Sequence, residues 1–594
     1  MASGKVGSIL AVDCGSTTTK AILLDVVEGR YRFVARSQVP STTAAPWRDV
    51  TAGIYHALKR ITESTGRPML DEGGQLIIPQ RGGGQGVDIV AATVSASPPL
   101  RVVIAGLSRD VSLDSARRAA RVTYTRLAGL ISLDEAERRS DGQRLQLVQD
   151  VKPDVILLVG GVDGGATRPV MDMARLMALA VGLEGGRSCV IYAGNVALRS
   201  QIAQLLGEQV ELRAVDNVRP TLEVENLGPV QTELDQIFRQ TIMSRLPGLD
   251  LLGRWSPGDI LPTAQGFGHV IRYLDRLTGQ PRNGVLGIDV GGMTTTVAAA
   301  RGGRFSLTVQ TELGVGSSIG EVLRRVPMGQ VTRWLPEDVA LERVQHLVMN
   351  KELRPWTVPQ TDEELLIEHA VAREIVSLAL AEARRGWPFR ECRGLPVVSD
   401  ILGSGSVLCR APSPGHAALM LLDTVQPAFW TSRLVLDKTG ALPALGVLAT
   451  VQPMAAAQML GQDGLLDLGS VISPVGVAKW GDKVLSFKVR SAVGAYEGDV
   501  RFGCLERIIL PAGVKAVLEL RPTRRFDLGH GPGRGVRMEA WGGAVGVIID
   551  ARGRPLVWPE KEEAQQTSVR QWLRELGAWA SPSLPDSFEQ LGDV

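Results

Sequence analysis

Ile9-Leu10-Ala11-Val12-Asp13-Cys14-Gly15-Ser16-Thr17-Thr18-Thr19-Lys20, followed by Ala21-Ile22-Leu23-Leu24-Asp25, is the stretch around which the rest of the chain is organised. An apolar run, Asp-x-Gly, a string of hydroxyls and a second apolar run read as strand, tight turn, strand. Gly15 lets the backbone approach a ligand with no side chain in the way. Ser16, Thr17 and Thr18 offer hydroxyls and successive backbone N–H groups, the makings of an anion-binding nest. Asp13, at the strand end, is placed to hold a metal ion through water, and magnesium keeps several waters while taking few carboxylates.

The pattern returns at Gly287-Ile288-Asp289-Val290-Gly291-Gly292-Met293-Thr294-Thr295-Thr296-Val297. A single copy is equally well explained as a glycine turn whose Asp and Thr side chains satisfy the turn backbone. Two copies, each between apolar runs, argue instead for a repeated unit.

The chain has 594 residues, too many for one core, so about two to four domains are expected. Its 65 basic and 63 acidic residues nearly cancel, which gives no reason to expect nucleic acid or an anionic membrane as partner. Five cysteines (Cys14, Cys189, Cys392, Cys409, Cys504) are widely spaced with no Cys-x-x-Cys, against a zinc site or a disulfide framework. A reducing cytoplasm fits. No basic region with a long apolar segment opens the chain, so no signal peptide is expected. The uncharged Thr439–Asp463 stretch reads as a buried helix with its lead-in, not as a membrane span.

Further along, a helix is expected over Trp47–Glu63, strands at Val87–Ser95 and Leu100–Leu107, and helical segments from about Leu113 to Leu147. Val155–Gly165 and Val190–Asn195 are strands running into glycine turns, and strands alternating with helices indicate an α/β sheet. A helix follows at Gly266–Thr278, then a sheet from Gly284, a Gly/Ser turn at Gly314–Gly320, a helix over Glu363–Arg385, and strand, turn and helix around Gly403-Ser404-Gly405. After about residue 440 the composition changes. Short β-like runs between turn signals over 465–560 suggest a barrel or sandwich appendage, closed by a helix carrying Trp572. Domains are placed at 1–235, 236–450 and 451–594.

Two Asp-x-Gly hairpins facing each other would clamp a polyphosphate with its metal, and phosphoryl transfer needs mainly positioning and charge neutralisation. No P-loop sequence occurs, nor a good Gly-x-Gly-x-x-Gly after the first strand.

Asp13–Lys20, Asp289–Thr295 and Gly403–Gly405 resemble, in order and spacing, the two phosphate motifs and the adenosine motif of the actin-like ATPase superfamily. Within it, Val159-Gly-Gly-Val-Asp-Gly-Gly165, Tyr192-Ala-Gly-Asn195, Asp216-Asn-Val-Arg-Pro220 and Thr311-Glu-Leu-Gly-Val-Gly316 resemble the glutamate mutase accessory protein L (GlmL/MutL) family over roughly residues 7–450. The region beyond about 465 departs from the shorter members expected of that family. The resemblance implies an α/β fold of two actin-like (ribonuclease H-like) ATPase domains around a central nucleotide cleft, with a C-terminal β-rich domain. It implies a chaperone-like accessory or reactivating factor for a cobalamin-dependent mutase, with ATP and Mg²⁺ as cofactors. Asp13 and Asp289 would position hydrated Mg²⁺ and the attacking water. Gly15, Ser16, Thr17, Thr18, Gly291, Gly292, Thr294 and Thr295 would hold phosphates, with Lys20 either reaching a phosphate or lying at the surface. Gly403, Ser404 and Gly405 would border the nucleoside. Asp163 and Glu223 are candidates for a hydrolytic base. The alternatives left open are a nucleotide-switched scaffold, a small-molecule kinase and a radical-dehydratase activator. The oligomeric state is also open, a homodimer included.

Overall fold

The computed structural model describes residues 6–579 apart from 135–138, 184, 186–187, 208–209, 279–283, 390 and 393–394. The opening stretch forms a meander. β1 (Ser8–Cys14) is buried along its length, and β2 (Thr18–Val27) returns antiparallel with Lys20 opposite Asp13. β3 (Arg30–Pro40) follows, and then α1 (Val50–Thr65), whose first turn is capped by the Asp49 carboxylate and whose end is closed by left-handed Gly66. β4 (Ile89–Val94) lies parallel to β1 on its other side, placing Thr93 beside Asp13.

Before this sheet is completed the chain builds another. β5 (Leu100–Gly106), β6 (Thr125–Ser132), β7 (Val155–Leu158), β8 (Cys189–Tyr192) and β9 (Leu212–Ala214) are all parallel, in the order β6-β5-β7-β8-β9. β5, β7 and β8 are near-continuous runs of Val, Ile and Leu, as sheets covered on both faces require. The helical reading of 113–147 is corrected here: Thr125–Ser132 is a strand between the helices Asp114–Ala120 and Asp141–Val151. As an edge strand it is half-exposed, so its apolar pattern lacks the continuity of its neighbours.

The chain returns as β10 (Leu261–Pro262), parallel to β4, and runs into α2 (Thr263–Thr278). The second unit repeats the first. β11 (Val285–Val290), β12 (Thr295–Arg301), β13 (Arg304–Gln310), β14 (Asp400–Ser404) and β15 (Ser432–Asp437) stand in the order β13-β12-β11-β14-β15, the counterpart of β3-β2-β1-β4-β10. The register repeats too: Asp289 faces Thr296 and lies beside Ser404, as Asp13 faces Lys20 and lies beside Thr93. α3 (Asp362–Ala383) packs on this sheet, capped by Thr361 and acidic in its first turn.

The uncharged stretch near residue 450 forms two helices, α4 (Leu442–Val451) and Pro453–Gln462. α2 follows the fifth strand of the first sheet but rests on β11 and β12 of the second. α4 follows the fifth strand of the second sheet but rests on β1 and β4 of the first. The two helices therefore cross between the halves. They meet at glycines: a Cβ on Gly446 would lie 1.9 Å from the Gly266 carbonyl oxygen, and one on Gly266 would lie 2.3 Å from that of Pro443.

The C-terminal region is built in two layers. β16 (Leu465–Ile472), β19 (Leu505–Ile508) and β22 (Gly546–Asp550) extend the second sheet to eight strands. β17 (Lys483–Ser491), β18 (Gly494–Arg501), β20 (Lys515–Pro522) and β21 (Val536–Trp541) form an antiparallel sheet in the order β18-β17-β20-β21. Ile472, Phe487, Leu518 and Ile549 fill the space between them. Of the barrel or sandwich expected, a sandwich is present, with one layer borrowed from the second sheet. The closing helix (Glu562–Glu575) buries Trp572 under the Arg552 guanidinium, 4.8 Å from the ring centre. Buried ion pairs run from Arg373 on α3 to Asp423 (2.7 Å), on to Arg552 (2.6 Å) and Asp550 (2.8 Å), and from there to Arg554 (2.6 Å). No helix among the described residues is long and apolar enough to cross a membrane.

Candidate functional site

The duplicated register brings the two Asp-x-Gly turns to one cavity of about 430 Å³ between the halves. Each turn is closed by the same bond: Gly15 N–H donates to the Thr18 carbonyl (3.0 Å) and Gly291 N–H to that of Thr294 (2.8 Å). Asp13, Gly15, Ser16, Thr17, Thr18 and Lys20 line the cavity from the first half, and Asp289, Gly291, Gly292 and Thr294 from the second, with Gly405 beside them.

The remaining residues named from the sequence have other surroundings. The Thr295 hydroxyl donates to the Leu313 carbonyl (2.7 Å), and the Ser404 hydroxyl to Asp437 Oδ2 (3.1 Å). Gly403 lies against Leu408, Leu421 and Leu436. Asp163 and Glu223 belong to the inserted segment, and neither lines the cavity. Asp163 accepts from Val196 N–H and from the Asn217 amide, as part of a turn. Cys14 and Cys189 are buried, while Cys409 and Cys504 are half-buried.

Asp13 is held rigidly. Its Oδ1 accepts from Thr93 (2.9 Å) and from Thr263 at the start of α2 (2.8 Å), which leaves Oδ2 facing Lys20 Nζ at 3.7 Å. Burial works against the Lys20 ammonium, yet Asp13, Asp289 and Asp437 together outweigh it and raise its pKa. Lys20 is thus a cleft residue whose charge is demanded by its neighbours. Asp289 is pushed up to about 6, by burial first and by Asp13 and Asp437, against the opposing effects of Lys20 and Ser404.

The turns also touch. A Cβ on Gly292 would lie 2.0 Å from Thr17 Oγ1, and that Oγ1 is buried with no hydrogen-bond partner. A buried hydroxyl left without a partner beside a glycine cradle suits an incoming anionic oxygen. The second turn is backed by the 311–316 loop, where Val315 N–H donates to Gly291 (3.0 Å) and Gly316 N–H to Gly292 (2.7 Å).

Several cavity residues escaped the sequence reading. Pro355–Gln360, the link between the helix Leu341–Leu353 and α3, forms a strap along one wall, with Trp356 half exposed. Glu368 on α3 pairs with Lys351 at 2.9 Å, and its burial raises its pKa. Neighbouring His369 is driven well below its usual pKa by burial and by Arg373. These residues lie in an ordinary helical pattern, and nothing local marks them. Asp437, which does not line the cavity but acts on Lys20 and Asp289 through its charge, had a local signal: Asp437-Lys438-Thr439-Gly440 follows an apolar strand. Its carboxylate accepts from Thr439 and Gly440 N–H and from Leu442 N–H at the start of α4.

A family model described as MutL protein matches residues 9–463. Protein MutL of Clostridium tetanomorphum is 23% identical over 490 residues, 76% of this chain and 98% of that one. Among solved structures, a nucleotide-free acetone carboxylase overlays with a TM-score of 0.35 at 11% identity, covering 84% of this chain and 81% of that one. A glycerol dehydratase reactivase overlays with a TM-score of 0.30 at 11% identity, covering 75% of this chain and all of that one (100%).

Proposed function

We propose that this chain, which belongs to the MutL protein family, binds ATP with Mg²⁺ between its two halves and hydrolyses it slowly as an accessory factor for a cobalamin-dependent mutase. The observation that carries the reading is the pair of Asp-x-Gly turns meeting over one cavity, with the unpartnered Thr17 hydroxyl between them.

The donor set fits the nucleotide. Successive N–H groups and hydroxyls of Ser16, Thr17 and Thr18, and of Gly291, Gly292 and Thr294, take the phosphate oxygens from two sides. Lys20 balances part of their charge. Asp13 and Asp289 hold the hydration shell of the metal, which suits magnesium's preference for water with one or two carboxylates. Gly405, Ser406 and Arg410 border the side of the cavity where a nucleoside would lie. Bound Mg²⁺–ATP supplies the phosphoanhydride and the charge neutralisation that phosphoryl transfer requires. Asp289, poised near 6, orients a water and can accept its proton.

Membership of the family supports the accessory role. In this reading nucleotide binding draws the halves together and hydrolysis releases them, so a client held against either half feels the cycle. The test is calorimetric titration with ATP, with and without Mg²⁺, on the wild type and Asp289→Ala, alongside phosphate release. Metal-dependent binding that is lost in a folded variant supports the site. Unchanged binding in that variant, or none in the wild type, overturns it. Binding without phosphate release leaves a nucleotide-switched scaffold.

A further inference from the structure

The 311–316 stretch backs the second turn through its glycine end, and its other end meets a feature the cleft does not use. Where β13 ends, the inserted segment docks on the second half. Val309 N–H donates to the Arg121 carbonyl (2.7 Å), and the Thr311 hydroxyl to that of Thr125 (2.8 Å). Between the two surfaces lies a cavity of about 50 Å³ lined by Arg117 and Arg121 from the insertion and by Gln310, Thr311, Glu312 and Arg325 from the second half.

Its lining holds three guanidinium groups and one carboxylate. That carboxylate is already shared: Glu312 pairs with Arg126 (2.8 Å) as well as with Arg325 (3.1 Å). Arg121 pairs with Glu382 at 2.7 Å, Arg117 with Asp114 at 2.7 Å and with Glu382 at 3.8 Å, and Arg325 also with Glu321 at 2.8 Å, so each guanidinium is anchored at one edge by a carboxylate. Burial lowers the pKa of Arg121 against the opposing charge and hydrogen bond of Glu382, and the neighbouring charges of Arg117 and Arg325 add to the lowering. Independently, Gln310 is only 6% exposed, and its Nε2, a donor, has no partner. A buried amide nitrogen without an acceptor is costly unless something fills its place.

We infer that this cavity is a binding site for a small free oxyanion of the phosphate class, held by Arg117, Arg121 and Arg325 with Gln310 Nε2 as the neutral donor. Guanidinium groups match such anions through paired N–H bonds. The volume admits one oxyanion and excludes a nucleotide. Because the ligand takes donors from both sides, occupancy fastens the insertion to the second half. Gln310 and Thr311 continue directly into the loop that holds Gly291 and Gly292, so the anion also steadies the wall of the cleft. The site does not depend on what the cleft binds.

The test is equilibrium dialysis of radiolabelled orthophosphate against the full chain, comparing the wild type, Gln310→Leu, Arg325→Gln and the cleft-blocked Gly292→Val. Gln310→Leu keeps the bulk and removes the donor. Arg325 is a third exposed, and Arg325→Gln leaves the fold alone if the buried substitution does not. The expected result is one equivalent bound by the wild type and by Gly292→Val. Loss of a bond to a charged group should cost Arg325→Gln and Gln310→Leu about tenfold or more in affinity. No binding by the wild type overturns the site. So does binding that disappears only in Gly292→Val, or that survives at full strength in Arg325→Gln.

Discussion

Gly292→Ala is a small change at a place with no room for it. The backbone angle of Gly292 lies outside the left-handed region, so alanine meets no conformational barrier there. What it meets is Thr17 across the cleft, with its new Cβ 2.0 Å from Oγ1 and 2.8 Å from Cβ. Ordinary contact needs roughly 3.5–4.0 Å, so the turns must separate by more than an ångström. Overpacking of this kind costs about 1–3 kcal/mol. If the closed arrangement is the one that grips phosphate, that cost falls on the affinity, a loss of roughly 5- to 150-fold. Calorimetric titration with Mg²⁺–ATP measures it. The control is Thr17→Gly, which gives up a hydroxyl but clears the space. In a double-mutant cycle the pair should bind better than the two single losses predict, by about 0.5–3 kcal/mol. Strict additivity, or undiminished affinity in Gly292→Ala, would show that the turns do not close on the ligand.

Asp289 gives a pH signature. It must be ionised to hold a cation, and with its pKa at about 6 the ionised fraction falls from about nine-tenths at pH 7 to one-tenth at pH 5, taking Mg²⁺–ATP affinity down about tenfold. An ordinary aspartate would stay ionised over that range, so a flat profile, measured against Asp289→Asn, would refute the assignment. Lys20→Met removes the cation that holds this pKa down and should move the midpoint upward; a midpoint left in place would return Lys20 to a passive role. Asp423→Ala strands Arg373 and leaves Arg552 with Asp550 as its one carboxylate partner in a dry interior, and should cost about 3–5 kcal/mol, seen as a large fall in thermal midpoint. An unchanged melting curve would mean that water reaches the network. For the client, addition of the chain with ATP to an inactivated cobalamin-dependent mutase should restore turnover, and Asp289→Ala should not; equal recovery with the variant would separate the nucleotide from the accessory role.

The duplicated meander was legible in the sequence because its signal is local. An apolar strand, Asp-x-Gly and hydroxyls lie within a dozen residues, and the second copy at Asp289 repeats the spacing of the first. What the sequence hid is what only folding brings together. Lys20 reads equally as a phosphate contact or a surface lysine, since nothing near it in sequence shows that Asp289 and Asp437 lie close by. The strand at Thr125–Ser132 was read as helix because an edge strand, half wet, loses the unbroken apolar run that marks β7. The C-terminal strands gave their periodicity but not their allegiance: nothing in Leu465–Ile472 says that it will add to a sheet begun at Val285. Glu368 and Trp356 enter the cleft from a helix and a strap whose patterns are ordinary.

The crossing at Gly266 and Gly446 sets what kind of motion the molecule can make. α2 begins at the residue that holds Asp13, and α4 begins where Asp437 caps it, so each helix is rooted at the cleft and braced on the opposite half. With bare backbone at the contact, the glycine pair is the closest point between the two helices and the natural pivot for any rotation of one half on the other, as a rivet is for scissor blades. α2, with 16 residues, is about 24 Å long. A rotation of a few degrees at the rivet would therefore move the far end of a helix of this length by about 1 Å, while both sheets keep their hydrogen bonds. A methyl group at either glycine would wedge the blades apart.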